Sequence, residues 1–306
     1  MVFQNVSGSD RLLLILYMPF EAVHHVYSLL MYAYETIRFT NSITFPLVYL
    51  GVLKELNLNL RNGSKFKLTR SNFHQLIGMA ANAQVKIDDR FKIYAEKDYN
   101  VVAFGKQKVI TVGGIRPIMV EFGKGVHSNI KVDGKTVVDI GSYMGETALY
   151  FAIVGHAKKV YTFEPVKSLY NAAEKNIRLN KLEKKIEAFN VAIVGNKPSH
   201  KGNSFDIAND KFSEATLDAI CDKLGVKDGV LKMDVEGYEY GIISGASSST
   251  LRRFSSMHIE YHYGYMDLVE RLKKEGFAVT YTKPVPSITG IISGVKYMGD
   301  IIAKRQ

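Results

Sequence analysis

From residue 137 onward, short apolar runs alternate with segments whose apolar positions recur every three or four residues. The runs predict buried strands and the segments predict helices, because side chains alternate across a strand but repeat every 3.6 residues along a helix. The predicted strands are 137–139, Val160–Phe163, Ile186–Val194, Val230–Gly237 with its exit turn, Met257–His262, Phe277–Thr282 and Gly294–Ala303. Such alternation indicates a parallel sheet with helices on both faces.

The helical periods and the last connection complete the predicted fold. Helices are predicted over 148–152, 169–177, Thr216–Leu224 and Met266–Lys274, the last with Gly276 as its C-cap signal. Only the loop Lys283–Thr289, with Pro284 and Pro286, joins the last two strands, so we expect them to be antiparallel. We therefore predict an α/β fold with a doubly wound, seven-stranded, Rossmann-like sheet whose last strand is antiparallel.

The N-terminal third has a different pattern. Leu12–Phe20 and Leu29–Tyr34 are apolar, but no window reaches about 18 uncharged apolar residues, so a spanning helix is not predicted. Residues 66–111 alternate in shorter runs, which predicts a small β element. Gly113–Gly114 and Gly123–Gly125 mark a boundary. We predict an α+β accessory region over residues 1–125 and a ligand-binding domain over residues 126–306.

The role of the first apolar segment has two interpretations. Leu12–Phe20 is expected to be a buried helix or an oligomer contact, and the alternative is a helix that lies on a membrane surface. A secretory signal is not predicted, since Asp10 and Arg11 precede the run and no small-residue cleavage site follows it.

Composition limits the classes of function. The single Cys221 excludes an internal disulfide framework and fits a reducing compartment, so we predict a cytoplasmic protein. The net charge of +10 is spread along the chain without a run of five like charges. This balance fits a solvated basic surface; it permits an anionic partner but does not require one.

Candidate chemistry begins where the first strand ends in Asp139 and the chain turns through Gly141 and Gly145 into a helix. Glycines let a backbone pass close to a ligand, and a helix start offers unpaired N–H groups. A dinucleotide fold needs G-x-G-x-x-G for its pyrophosphate, but the second of those glycines is missing here, and Asp139 would repel phosphate. S-adenosylmethionine instead carries a cationic amino group, a sulfonium and no phosphate.

The end of the second strand adds one more binding group. Glu164 follows Phe163, and a carboxylate there can accept hydrogen bonds from both ribose hydroxyls. NAD-binding folds use the same device, so Glu164 alone does not discriminate between the two ligands. The glycine spacing and Asp139 together favour S-adenosylmethionine.

Several motifs can be read together: Asp139-Ile140-Gly141 with Gly145, Phe163-Glu164-Pro165, Asn176 and Asn180, the run Leu231–Glu239, and Glu260-x-His262. As a set they resemble the motifs of the FkbM family of S-adenosylmethionine-dependent methyltransferases. The family turn usually has a small residue and Asn after Gly141, where this chain has Ser142 and Tyr143. The resemblance implies a class I fold, S-adenosylmethionine as donor, and an oxygen nucleophile on a sugar, lipid or natural product.

These motifs define the predicted donor site. The predicted cofactor-binding residues are Asp139, Gly141, Ser142, Tyr143, Gly145, Glu146, Thr147, Glu164, Pro165, Asn190, Val191 and Asp234. Asn190 is expected at the adenine edge.

Two pairs of polar residues form the predicted catalytic site. Asp234 and Glu236 point to the same side of one strand, and Glu260 and His262 repeat that spacing on the next. The ends of neighbouring parallel strands meet at one sheet edge, so we expect all four side chains to converge beside the donor methyl group. His262 is the predicted base, because imidazole titrates near neutrality, with Glu260 or Asp234 orienting it. Lys232 is expected to be a charge partner of these acids.

Two alternatives to this catalytic interpretation remain open. The four side chains could instead form a structural salt-bridge network, or Asp234, Glu236 and His262 could hold a divalent cation that binds the acceptor. The predicted site has no metal ligands.

The sequence predicts a methyltransferase that acts on a hydroxyl of a small molecule, glycan or lipid. The alternatives are an RNA methyltransferase, suggested by the basic balance, and a non-catalytic binding protein that keeps the fold. The chain has no Asn-Pro-Pro-Tyr type motif after its fourth strand and no recognisable RNA-binding module, so a nucleic-acid acceptor is not favoured. The other predicted partners are a membrane surface, contacted through the N-terminal region, and a second copy of the chain in a homo-oligomer.

Overall fold

The structure is a computed structural model of the 306-residue chain. It describes residues 5–17, 42–60, 65–73, 91–95, 99–104, 107–112, 117–118, 120–195, 212–287 and 296–305, together with residues 30, 34, 36–37, 40 and 76. The chain divides into two compact units, one of residues 1–23, 130–174 and 182–306 and the other of residues 24–129 and 175–181. The functional boundary predicted between residues 125 and 126 stays a prediction.

The unit of residues 24–129 and 175–181 contains two small antiparallel sheets within its described part. Its elements are helix α1 (Pro46–Tyr49), strands β1 (Glu55–Asn59), β2 (Lys65–Thr69), β3 (Phe91–Ala95), β4 (Asn100–Phe104) and β5 (Gln107–Thr111), and a π-helix over Val120–Lys124. β1 pairs with β2, and β4 pairs with both β3 and β5. The predicted small β element is therefore confirmed. Gly113–Gly114 and most of Leu29–Tyr34 lie outside the described residues.

The other unit contains the alternating strands and helices. They are β6 (Thr136–Ile140), α2 (Glu146–Ile153), β7 (Lys159–Phe163), α3 (Lys167–Leu179), β8 (Ile186–Phe189), β9 (Val191–Val194), β10 (Ser213–Thr216), α4 (Leu217–Leu224), β11 (Gly229–Met233), α5 (Glu239–Gly245), α6 (Ser248–Leu251), β12 (Phe254–Tyr261), α7 (Met266–Lys274), β13 (Phe277–Tyr281), β14 (Val285–Ser287) and β15 (Lys296–Arg305).

Among the described residues, seven strands form the main path of one sheet, in the order β13-β15-β12-β11-β6-β7-β8. The five strands from β12 to β8 are parallel to one another, whereas β15 runs antiparallel to both β12 and β13. The predicted doubly wound α/β sheet with an antiparallel last strand is confirmed. Its central strands β6 and β11 are almost wholly buried, which explains why they appear in the sequence as continuous apolar runs.

Three local predictions differ from the structure. The predicted single strand Ile186–Val194 is two strands, because the chain turns at Asn190 and β9 leaves the main sheet to pair with β10. The predicted loop Lys283–Thr289 contains strand β14, which pairs with β15. Helix α5 is not predicted at all, because its seven residues are too few to establish a helical period.

Asn176 near the end of α3 and Asn180 just after it belong, with the last part of that helix, to the smaller unit, where they hold strand β5. Asn176 Oδ1 accepts a hydrogen bond from the backbone N–H of Val112 at 2.8 Å. Asn180 Oδ1 accepts from the N–H of Ile110 at 2.9 Å, and its Nδ2 donates to the carbonyl of the same residue at 2.7 Å. These two motif residues therefore have a structural role, since they satisfy backbone groups at the end of a strand.

The described N-terminal residues 8–17 are helical, and this helix has one buried face. Leu14 is fully buried, whereas Leu12, Ile15, Leu16 and Tyr17 are more than half exposed. Asp10 anchors the helix by accepting a hydrogen bond from the Tyr265 hydroxyl at 2.6 Å. The helices in the described ranges include none that is both long and apolar enough to cross a membrane.

Candidate active site

The glycine turn after β6 lies at the carboxyl edge of the sheet. Gly141, Tyr143 and Gly145 all have left-handed backbone angles, with φ of 81°, 51° and 82°. The N–H groups of Gly141 and Ser142 donate to the carbonyl of Phe163 at 3.0 and 3.3 Å, which holds the turn against the end of β7. The turn then enters α2 at Glu146, two residues before the helical period that the sequence predicts over 148–152.

A buried ion pair between strands β6 and β11 holds this turn through the Gly141 carbonyl. Asp139 and Lys232 are buried on the neighbouring strands β6 and β11, with Lys232 Nζ 3.4 Å from Asp139 Oδ1. Lys232 also donates to the carbonyl of Gly141 at 2.7 Å, and Asp139 Oδ2 accepts from the Thr162 hydroxyl at 3.0 Å. The structure therefore pairs Lys232 with Asp139 and gives Asp139 a position behind the turn.

Glu164 lies at the end of β7 beside the turn. Its two carboxylate oxygens accept hydrogen bonds from the backbone N–H groups of Tyr143 and Val166, both at 3.0 Å. Burial raises the pKa of Glu164 to about 7, although those two hydrogen bonds and the charge of Lys232 act in the opposite direction. Asn190 donates to the carbonyls of Glu164 and Pro165 at 3.0 and 2.7 Å, so it fixes the segment that carries the carboxylate.

A cavity of about 640 Å³ opens between the turn, the end of β7, strand β9 and the segment after β11. Its lining includes seven of the predicted cofactor residues: Gly141, Tyr143, Glu146, Glu164, Pro165, Val191 and Asp234. The other five, Asp139, Ser142, Gly145, Thr147 and Asn190, do not line this cavity although all are described. The backbone of Ser142 and Gly145 and the side chains of Asp139 and Asn190 make contacts that hold the turn or the end of β7. Direct contact of all five residues with a ligand stays a prediction.

Three of the predicted catalytic residues converge beside this cavity. His262 Nε2 lies 3.6 Å from Asp234 Oδ1 and 3.6 Å from Glu236 Oε2. The imidazole is fully buried, whereas the Asp234 and Glu236 side chains are 36% and 43% exposed and line the cavity. Glu236 has a φ of 55°, an uncommon conformation that turns the chain sharply before Gly237.

The sequence prediction did not assign a role to Glu239, which completes this cluster. Glu239 is fully buried at the start of α5, and its Oε1 lies 3.0 Å from both the backbone nitrogen and Nδ1 of His262. Its Oε2 accepts from the N–H of Gly237 at 2.9 Å. An ionised carboxylate can only accept, so Nδ1 carries the hydrogen and Nε2 faces Asp234 and Glu236. Its place in the Lys-x-Asp-Val-Glu-Gly-Tyr-Glu run was the available signal.

The charged groups of the cluster shift one another's pKa values. Burial alone would lower the pKa of His262, but its hydrogen bond to Glu239 and the charges of Glu239, Asp234 and Glu236 raise it to about 9. Burial, followed by the charge of Asp234, raises the pKa of Glu260 to about 7, whereas His262 acts in the opposite direction. Glu260 is thus electrostatically part of the cluster, and its catalytic role stays a prediction.

Comparison with known proteins identifies the domain that carries this site. Residues 139–279 match the family model described as the methyltransferase FkbM domain. The chain carries an FkbM methyltransferase domain. It is accordingly an S-adenosylmethionine-dependent methyltransferase. No curated protein matches it in sequence.

Solved structures resemble the chain in fold. Pyrococcus horikoshii TYW2, solved in complex with MeSAdo, has 15% identity and a TM-score of 0.41 over 84% of this chain and 94% of that one. The M. jannaschii tRNA m1G37 methyltransferase has 16% identity and a TM-score of 0.38 over 71% and 55% of the two chains. Similarity at this level concerns the fold and carries no argument about the substrate.

The FkbM domain has room for S-adenosylmethionine where its motifs predict it. The cavity volume falls within the range of about 300–1,000 Å³ that is usual for small-molecule sites. Because Gly141 has no side chain, the turn can pass close to the segment after β11. A Cβ at this position would overlap the carbonyl oxygen of Asp234. Glu164 presents a carboxylate at the cavity wall, and Asp234 and Glu236 contribute two more carboxylates to the lining.

Gly141→Ala should therefore destabilise the FkbM domain by more than the cost of its left-handed backbone angle alone. We expect the left-handed angle to lower the free energy of unfolding by about 1–3 kcal/mol, and the overlap with Asp234 to lower it further and weaken donor binding. Gly276→Ala is the matched control, because Gly276 has a φ of 87° but open space around the added methyl group. Equal loss in urea unfolding of both variants would show that the overlap has no effect.

Proposed function

We propose that this methyltransferase methylates a hydroxyl oxygen of a glycan, lipid or small molecule. The observation that carries the proposal is the position of Asp234 and Glu236, whose carboxylates line the donor cavity and lie next to the buried His262. A hydroxyl must lose its proton as it is methylated, and it gains from hydrogen-bond acceptors at the point of attack. A cluster of three carboxylates and one imidazole at that edge supplies both proton acceptors and a rigid support.

The donor supplies an activated methyl group on a sulfonium, and the chain supplies its position. We propose that Glu164 accepts hydrogen bonds from the ribose hydroxyls, because its carboxylate is already oriented by two backbone N–H groups. Asp234 follows strand β11, which is separated from β7 by β6 alone, so the methyl group would face the cluster. Most of the acceleration then comes from holding the acceptor oxygen in line with the methyl carbon.

The hydroxyl proton leaves through the carboxylates in this proposal. The acceptor oxygen forms a bond to the methyl carbon, the carbon–sulfur bond breaks, and its electron pair stays on sulfur. His262 Nε2 is buried behind Asp234 and Glu236, so an acceptor reaches the imidazole through one of those carboxylates. Glu239 is the positioning residue that fixes the ring.

Donor affinity should depend on pH through Glu164. The pKa of about 7 means that the carboxyl is mostly protonated at pH 6 and mostly ionised at pH 8, and the ionised form accepts from both ribose hydroxyls. We expect the dissociation constant for S-adenosylmethionine to be about tenfold larger at pH 6 than at pH 8. Calorimetry at both pH values measures this ratio. Glu164→Gln should remove the difference while weakening binding at pH 8, and an unchanged ratio in that variant would contradict the assignment.

Transfer of an isotopic methyl group tests the proposed acceptor class. The full chain is incubated with S-adenosylmethionine labelled with ¹³C in its methyl group, in parallel with a panel of sugars, phenols and lipid hydroxyls and with a bulk tRNA fraction. We expect label to appear as an O-methyl resonance on a hydroxyl compound. Label on a tRNA base, with none on any hydroxyl compound, would overturn the proposal and favour an RNA acceptor.

A further inference from the structure

Three potential ligand atoms meet at the edge of the FkbM domain. One carboxylate oxygen of Asp234, one of Glu236 and Nε2 of His262 all lie within 4.8 Å of one another. The two nitrogen–oxygen distances are both 3.6 Å, which is longer than a hydrogen bond. Two ligands held about 2.1 Å from one cation and about 120° apart would be separated by about this distance.

The buried imidazole is a second and independent indication of a ligand. His262 has no exposed surface, and among the described residues its Nε2 has no hydrogen-bond partner. A buried polar atom without a partner carries a free-energy cost of about 1–3 kcal/mol unless something else satisfies it. The atom is directed at two carboxylates that bring negative charge and oxygen ligands to the same point.

The contacts behind the imidazole match those of a metal-binding histidine. Histidine ligands usually donate their other ring N–H to a carboxylate, which fixes the tautomer and the ring orientation. Glu239 accepts from Nδ1 at 3.0 Å and is itself held by the backbone N–H groups of Gly237 and His262. The arrangement directs Nε2 between Asp234 and Glu236, where a bound cation would take the place of the Nε2 proton.

We propose that Asp234, Glu236 and His262 bind a divalent first-row transition cation such as Mn²⁺ or Zn²⁺. One imidazole and two carboxylates suit such ions better than Ca²⁺ or Mg²⁺, which prefer ligand sets made of oxygen alone. Three protein ligands leave further coordination positions on the side of the cavity, because Asp234 and Glu236 line it. The site therefore belongs to the class that keeps open positions for a substrate.

This inference rests on the proposed function and narrows its substrate. A cation at this point binds the acceptor hydroxyl and makes its proton easier to remove. A six-coordinate ion such as Mn²⁺ would keep more than one position open and could bind two oxygens at once, so the favoured acceptor has a second oxygen next to the methylated one, as a sugar diol does. Glu239 remains a positioning residue, because it reaches the cation only through His262.

Calorimetric titration of Mn²⁺ and Zn²⁺ into the full chain, after treatment with a chelator, tests the site without donor or acceptor. We expect one site per chain, and a loss of affinity of at least about 100-fold in both Asp234→Asn and His262→Gln. His258→Gln is the matched control: it removes a buried histidine from the same strand whose Nε2 is already paired with Asp300 at 3.0 Å. This control should bind the ion as the unaltered chain does.

The outcomes separate this inference from the proposed function. Absence of binding by either ion up to millimolar concentration in the unaltered chain, or equal binding in all three variants, would overturn the metal site. Methylation of a hydroxyl that survives chelation would overturn it as well and leave the proposed function standing. Tight binding lost only in Asp234→Asn and His262→Gln supports the site even if no hydroxyl acceptor is found.

Discussion

His262→Ala is expected to lower turnover by roughly 10²–10⁴-fold while donor affinity stays nearly unchanged. The imidazole is central to the cluster, with Nδ1 bound to Glu239 and Nε2 between Asp234 and Glu236, so its removal leaves three carboxylates without their shared partner. The hydrogen bonds that orient Glu164, the predicted ribose-binding residue, do not involve His262. Single-turnover methyl transfer and calorimetry with S-adenosylmethionine measure the two quantities separately.

The control for this prediction is again on β12. His258 is buried and paired with Asp300, away from the carboxylate pair, so His258→Ala should keep turnover within a few-fold of the unaltered enzyme. A His262→Ala enzyme that retains full turnover would exclude the cluster from the reaction. Equal loss of donor affinity in that variant would show that the residue supports the fold of the donor site instead.

Lys232→Met is expected to have the largest effect on stability. Both Lys232 and Asp139 are buried, and their ion pair is held by the Gly141 carbonyl and the Thr162 hydroxyl. Removing the ammonium leaves a buried carboxylate without its cation, which typically costs about 3–5 kcal/mol of the free energy of unfolding. Urea unfolding followed by circular dichroism measures the change.

A double variant tests the cause of that loss. Asp139→Asn in the Lys232→Met background removes the uncompensated charge and should restore a large part of the free energy of unfolding. Donor affinity should stay weakened, because the Gly141 carbonyl has lost its ammonium partner. If Asp139→Asn lowers the free energy of unfolding as much in the Lys232→Met background as in the unaltered chain, the two changes are independent. The broken ion pair is then not the reason for the loss of stability.

The sheet could be predicted from sequence because its central strands are buried on both faces. Apolar runs such as Val230–Met233 and Val160–Phe163 are stable only as buried strands or helices, and their length favours strands. The connection before the last strand is too short for a crossover, so that strand could pair with its predecessor only in the antiparallel direction. The strand β9 could not be separated from β8, since Asn190 interrupts one continuous apolar run and the change of direction depends on its bonds to residues 164 and 165.

The site was predicted where residues lie at the ends of neighbouring strands and missed where they meet across the fold. Asp234, Glu236 and His262 were expected to converge through side-chain alternation, but in the structure they come after the last residues of the adjacent parallel strands β11 and β12, and this shared sheet edge brings them together. Glu239 reaches His262 from the start of a helix, 23 residues earlier in the chain, and no periodic pattern relates the two. The partner of Lys232 was likewise set by strand order, because β11 lies next to β6 in the sheet, with Lys232 directly opposite Asp139.

A crystal structure of the full chain with S-adenosylhomocysteine tests the central claim most directly. The claim is that one cavity holds the donor between Glu164 and the cluster of Asp234, Glu236 and His262. We predict the ribose hydroxyls within hydrogen-bond distance of the Glu164 carboxylate, and the sulfur facing Asp234 with open space between them for a methyl group and an acceptor oxygen. A nucleoside bound elsewhere, or a sulfur turned away from Asp234, would contradict the account.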